Sequence, residues 1–284
     1  KDAPDTLGAL HNLAVMRIMT GDKSGAVALQ QQLVATQTRR LGAEHPQTLA
    51  ELGNLANMLN DSGKPEQALP IAEQVVAART RVLGADHPQT LKAKLNLSSI
   101  LARVKRFEES MALQKQVADA RTRLLGPNHP DTLFIQLNRA PTYLQAGQPK
   151  AALAQLDAFL PLGRKILGDK HPQVQMGYDI RAQAAEAIGN DALAMASYRE
   201  LLALREAALG AQDIKTIDAA WNVEGLLRKR GEVAAADEVR KRYVTPLLHA
   251  SPDTLDDDQK RMVKNILETE ASEAQASVQK PVIR

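Results

Sequence analysis

Leu49, Leu52, Leu55, Ala56 and Leu59 recur at intervals of three and four residues, which draws one apolar stripe along a helix. Pro46 stands ahead of the stripe and suits the first helical turn, where its missing N–H costs nothing. Ser62-Gly63 ends it. A second apolar stripe opens at about Pro65 and carries Ala68, Ile71, Ala72, Val75, Val76 and Val82 inward. Arg79 and Arg81 stand near its end, where cations suit the negative pole of a helix. Leu83-Gly84 closes it with a residue able to take φ > 0. The pattern predicts a helical hairpin, and the small residues at 56 and 68 let its two helices approach closely.

This hairpin is written again and again. LGAEHPQTL at 41–49 returns as LGADHPQTL at 83–91, LGPNHPDTL at 125–133 and LGDKHPQVQ at 167–175, always 42 residues on. A turn glycine keeps its column at Gly21, Gly63, Gly147, Gly189 and Gly231, with Lys105 in the third row. Five places on, Ala26, Ala68, Ser110, Ala152, Ala194 and Ala236 hold a small residue. A catalytic motif has no reason to recur, whereas a unit that stacks on copies of itself must. The expected domain is a solenoid over residues 1–250, with rows near 1–42, 43–84, 85–126, 127–168, 169–210 and 211–250. The LG-x-x-HP-x-TL stretch is the joint between helix B of one row and helix A of the next.

Some positions break the pattern. Arg139 and Arg181 stand in the column where Leu13, Leu55 and Leu97 are expected to pack. A core arginine is costly unless paired, and Asp157 and Asp179 are the candidate partners. Pro141 lies inside a helix A, and Pro70 and Pro161 inside helices B, where each removes a backbone bond and favours a kink. Rows four and five are therefore either drifted repeats with a local bend or a hinge. After Leu248 the period is lost. Ser251-Pro252-Asp253-Thr254-Leu255 imitates the joint a few residues early, with Ser251 as N-cap. Residues 251–272 are expected to form a polar capping helix that covers the last repeat, and 273–284 a disordered tail.

Composition narrows the chemistry. The 284 residues are 44% hydrophobic but only 3% aromatic, which favours closely packed Ala and Leu on helices over a β-sandwich. The formal charge is +3 and the pI about 9.0, with both signs mixed along the chain. There is no long basic run to follow phosphates. With no cysteine, disulfides, thiolate metal sites and Cys nucleophiles are absent. No apolar run approaches the roughly 18 residues of a membrane helix. The opening KDAPDTL has neither Met nor signal peptide, so the chain looks cut from something longer.

His45, His87, His129 and His171 recur at the joints. Stacking two helices per row at 8–10 Å puts equivalent atoms on the order of 15–20 Å apart, far beyond the ~2 Å of metal ligation. They are read as bonding the backbone at each joint. No nucleophile elbow and no Gly-rich phosphate loop is present. We expect no enzyme, metal or cofactor in this stretch. The column that suggests binding is asparagine: Asn12, Asn54, Asn96, Asn138 and Asn222, with Ile180 interrupting the fifth row. Asn is a mediocre helix former, so its repetition in mid-helix needs a reason.

The rows resemble tetratricopeptide repeats of the long, kinesin-light-chain type, over about residues 3–250. That resemblance implies an all-α, right-handed superhelix of about six helix-turn-helix repeats plus a C-terminal capping helix. It also implies that helices A line a concave groove and that the asparagines point there to bond a bound peptide backbone. An amide offers both donor and acceptor for that work. Ala50, Asn57, Met58, Lys92, Ser99, Arg103, Phe134 and Gln145 are expected beside them. In bacteria such arrays resemble the C-terminal parts of Ser/Thr protein kinases and of large signalling regulators. The implied role is a protein- or peptide-binding module of a signalling protein, periplasmic or cytoplasmic. The alternatives are a sensory or self-associating ectodomain of a membrane kinase and, less in keeping with the mixed charge, an RNA-binding repeat.

Overall fold

The computed structural model describes residues 12, 13, 16, 17 and 19–278, with side chains to Ser272. Among these residues the regular structure is helical, with no strand. Helices B of nineteen residues alternate with helices A of sixteen. In order they are α1 (Lys23–Leu41), α2 (Pro46–Asp61), α3 (Pro65–Leu83), α4 (Pro88–Arg103), α5 (Phe107–Leu125), α6 (Pro130–Gln145) and α7 (Pro149–Leu167). Then follow α8 (Pro172–Ala187), α9 (Asp191–Leu209) and α10 (Ile214–Lys229). The chain continues through α11 (Val233–Val239), a π-helix at Arg240–Val244, α12 (Thr245–Leu248) and α13 (Asp257–Val278). It divides into two compact units, Lys1–Ala152 and Leu153–Arg284, and the division falls inside α7.

The joints work through two residues. Gly84 stands at φ 95°, ψ 159°, a conformation essentially restricted to glycine, and its N–H donates to the Thr80 carbonyl at 3.1 Å. Three residues on, His87 caps α4: its Nδ1 accepts the Gln89 N–H at 3.2 Å, and Pro88 fills N1. His45, His129 and His171 do the same for α2, α6 and α8, as expected of a joint histidine. Asp213 replaces the imidazole with a carboxylate ahead of α10. Within each hairpin, helix A ends in a Schellman turn. At the first, Gly63 N–H donates to Asn60 and Lys64 N–H to Leu59.

In the first unit each helix packs on its sequence neighbours, as a stack of hairpins requires. One apolar cluster joins Val27, Leu55, Ala56, Leu59, Ala68, Ala72, Leu97, Ile100 and Leu101. The small pair Ala56 and Ala68 is buried within it. In the third row that pair becomes Ser98 and Ser110, and the Ser110 hydroxyl donates to the Ser98 carbonyl at 2.7 Å, which satisfies a buried polar group. Two expected core residues lie outside. Val82 is 48% exposed, because nineteen-residue α3 outruns sixteen-residue α2 by most of a turn. Leu13 is 41% exposed.

The second unit is centred on Phe159, Leu156, Leu201 and Ile217, all fully buried. Gly177 gives the Phe159 ring its place, since a Cβ there would meet Phe159 Cε1 at 3.0 Å and Leu160 Cδ2 at 2.9 Å. Arg181 pairs with Asp157 at 2.8 Å, as anticipated, and also donates to Ser197. In the first unit Arg139 takes neither proposed aspartate. It donates to Tyr143 Oη at 2.9 Å and lies over that ring, a neutral partner one helical turn away. Helices α3, α6 and α7 run on through Pro70, Pro141 and Pro161.

The end of the array departs from expectation. Ser251 makes no side-chain cap bond, and Pro252–Thr254 forms only a 3₁₀ turn. The helix start lies instead at Asp256. Its carboxylate accepts the Gln259 N–H at 2.8 Å while Gln259 Oε1 accepts the Asp256 N–H at 3.0 Å, a reciprocal capping box. Asp256 follows Asp213 by 43 residues, so the period slips by one and is not lost. The sixth helix B carries a π-helix at Arg240–Val244, with an i→i+5 bond from Thr245 N–H to the Arg240 carbonyl, and stops early at Leu248, so that the connection to α13 is longer than the other joints. Helix α13 thus stands in the place of helix A of a seventh row. It extends to Val278, so residues 273–278, assigned to the disordered tail, are helical.

Candidate functional site

Each helix A carries a second stripe, offset from the buried one, at spacings of four, three and four residues. Side chains at such spacing share one face. In α2 it reads Ala50, Asn54, Asn57 and Asp61; in α4, Lys92, Asn96, Ser99 and Arg103; in α6, Phe134, Asn138, Pro141 and Gln145. All twelve are exposed or half-buried, so the first unit brings the anticipated residues to one face of each helix. Met58 is the exception. It packs against the Leu55–Leu59 cluster and belongs partly to the core. Asn12, in the first row, is exposed.

The amides differ in what holds them. Asn54 Nδ2 donates to Glu51 Oε2 at 3.2 Å, and the same carboxylate oxygen accepts Gln30 Nε2 of α1 at 2.7 Å. That leaves Asn54 Oδ1 as an open acceptor. The amides of Asn96 and Asn138 bond to no other described residue, so their donors and acceptors are free on a half-buried surface. Lys92 and Arg103 flank Asn96 without an ion-pair partner among the described residues. The stripes of α4 and α6 therefore offer hydrogen bonds, two cations and the aromatic ring of Phe134.

In the second unit the stripe continues as Asp218, Asn222, Gly225 and Lys229 on α10. On α8 the asparagine column is Ile180, only 6% exposed, so no amide is presented there. Sequence reasoning missed one residue. With the slip of one, Asn265 of α13 falls in the asparagine column, nine residues after its cap as Asn222 is after Asp213. The Asp256-x-x-Gln259 capping box was the signal that could have found it.

Electrostatics here serve the scaffold. Arg164 holds Asp169 through two parallel bonds of 2.7 and 3.0 Å and also reaches Tyr178 and Glu200. The hydrogen bonds it donates to Asp169 hold the Arg164 guanidinium above its ordinary range, and the arginine holds Asp169 below the usual carboxylate range. Among the described residues no group of His, Cys, Asp or Glu side chains could hold a metal ion. Among the described residues no helix is long and apolar enough to cross a membrane.

Tetratricopeptide repeat models match residues 6–47, 50–117 and 89–165, together more than half of the chain. The chain belongs to the tetratricopeptide repeat family. Its repeats are similar to the nearly identical TPR-like repeats named for a kinesin light chain of Podosopora anserina. The TM-score is 0.65 at 28% identity, over 74% of this chain and 99% of that one. The BtubC (BKLC) structure from P. vanneervenii shares the fold at TM-score 0.65 and 14% identity, over 81% of this chain and 94% of that one. The Rap protein complexed with Competence and Sporulation Factor does so at 0.52 and 12%, over 85% of this chain and 76% of that one. No curated protein sequence matches the chain. Tetratricopeptide repeats are in general protein-interaction modules and typically non-catalytic.

Proposed function

We propose that this tetratricopeptide repeat chain binds an extended peptide of a partner protein along the helix-A stripes of its first unit. It would serve as the interaction or sensing domain of a larger signalling protein. The observation that carries the reading is the pair Asn96 and Asn138, whose amides bond to no other described residue and recur at one helical position on a half-buried face. A peptide group needs one donor and one acceptor, which a primary amide supplies at once. Lys92 and Arg103 favour acidic side chains in that peptide, and Phe134 an apolar one. The Rap structure, which holds a factor on a similar fold, supports the same use.

The test uses a peptide selected against the parent chain from a random-sequence display library. Replacing Asn54, Asn96 and Asn138 together by Ala removes three hydrogen bonds of roughly 0.5–1.5 kcal/mol each, so binding weakens at least about tenfold. Alanine is the better helix former, so melting is expected to be no lower. Lowered melting with unaltered calorimetric affinity would assign the asparagines to the scaffold.

A further inference from the structure

Helix α13 stands in the place of a helix A, yet no helix B folds back on it among the described residues. Its inner face, with Met262 and Ile266, lies towards Ile214 and Trp221 of α10 across a cleft of about 540 Å³. The face that would meet a helix B is open. In the fifth row that column and its counterpart on helix B are Ala182 and Ala194, both fully buried. In the sixth row it is Glu224, 2% exposed and bonded by Arg240 of its own helix B. With the slip of one, the same column falls on Leu267, which is 52% exposed.

Val263, half-buried, and Ala271, exposed, stand four residues to either side of Leu267 and make a short apolar stripe with it. The chain does not turn back to cover that stripe. The turn glycine of the sixth row, Gly231, is matched by Ala274, and there the helix runs on to Val278.

The charges beside the stripe say what fits it. Lys264 and Glu268 share one flank, one before Leu267 and one after it. Both are well exposed and approach each other only at 3.7 Å along the helix. A second α13 running antiparallel, with its twofold axis at Leu267, would set Lys264 of each copy opposite Glu268 of the other. Val263 would then lie opposite Ala271. A parallel copy would instead oppose like charges, which is unfavourable. Helix B is also antiparallel to helix A in a helical hairpin, so the same direction suits the open face.

We propose that α13 docks antiparallel on α13 of a second copy of this chain, each serving the other as helix B of its seventh row. The proposal goes beyond the peptide-binding reading, whose residues lie in the first unit.

The test is sedimentation equilibrium of the whole chain at low salt, over roughly 10–500 µM, where small interfaces associate. The parent should show a monomer–dimer equilibrium. Leu267→Glu, which puts a charge at the centre of the seam, should weaken it at least about tenfold. Lys264→Glu alone and Glu268→Lys alone each oppose like charges and should weaken it about fivefold. The double variant Lys264→Glu/Glu268→Lys should dimerise like the parent, and so should an equimolar mixture of the two single variants. All these positions are exposed, so dilute melting curves should match; should Leu267→Glu melt lower, the charge exchange decides alone. A parent that stays monomeric, single charge variants that pair as the parent does, or a double variant that stays monomeric would overturn the proposal.

Discussion

Lys105 adopts, at φ 63°, the turn position that Gly63 holds at φ 75°. The backbone bonds are the same, with Lys105 N–H donating to Ala102 and Arg106 N–H to Leu101. Among the described non-glycine residues it alone has positive φ. A side chain in that region costs roughly 1–2 kcal/mol, and the freedom of glycine in the unfolded chain offsets ~0.5–1 kcal/mol of any gain. Lys105→Gly is therefore expected to stabilise the chain by about 0.5–1 kcal/mol in urea unfolding. A lower unfolding midpoint would show that the lysine makes a contact worth more than its strain.

The cap at each joint depends on an acceptor atom, not on an imidazole. Asp213 Oδ1 accepts the Lys215 N–H at 2.9 Å where His87 Nδ1 accepts that of Gln89. His87→Ala should cost about 1 kcal/mol, as loss of an N-cap does. His87→Asp should restore most of it. Equal unfolding midpoints for the two variants would remove the capping role.

One buried threonine column predicts effects of opposite sign. Thr90 Oγ1 is buried without a partner, whereas Thr132 Oγ1 donates to the Gly126 carbonyl at 2.9 Å. Val174 fills the same column in the fifth row. Thr90→Val should be neutral or stabilising by up to ~1 kcal/mol, and Thr132→Val destabilising by about 1 kcal/mol. Paired urea titrations decide it; a loss at both sites would mean that Thr90 is bonded in solution.

Burial raises the Asp179 carboxyl above its ordinary value of 3.8, partly countered by Arg205 and Gln183 and reinforced by Asp218. A carboxylate raised in the folded state binds its proton more readily there than in the unfolded chain. Its charge therefore lowers stability at neutral pH, and that loss fades as pH falls through the folded value towards 3.8. Asp179→Asn should be more stable than the parent at pH 7, with the difference closing in acid. Asp22, Asp169 and Glu206 are lowered by their hydrogen bonds and act in the opposite sense, their contribution vanishing as pH falls. A stability difference between the Asp179→Asn variant and the parent that grows on acidification would contradict the assignment.

The sequence by itself determined the hairpin and its period, because these rest on chemistry within a few residues. Pro46 can only begin a helix, Gly84 can take a backbone angle closed to other residues, and the Leu49-to-Leu59 stripe has one apolar side. The joint histidines and the outward asparagine column followed from the same local repetition. Contacts between helices decided the rest. Arg139 turned to Tyr143, Met58 sank towards the core, and Glu51 took the Asn54 amide, each according to what stood within hydrogen-bond or packing reach. The seventh helix A was hidden by a single residue. The sixth helix B stops early at Leu248 and the connection to α13 is longer, and the net slip of one breaks a period counted along the chain. Only the packed structure shows Asn265 and Trp221 on either side of one cleft, because position in space follows helix geometry and not residue count.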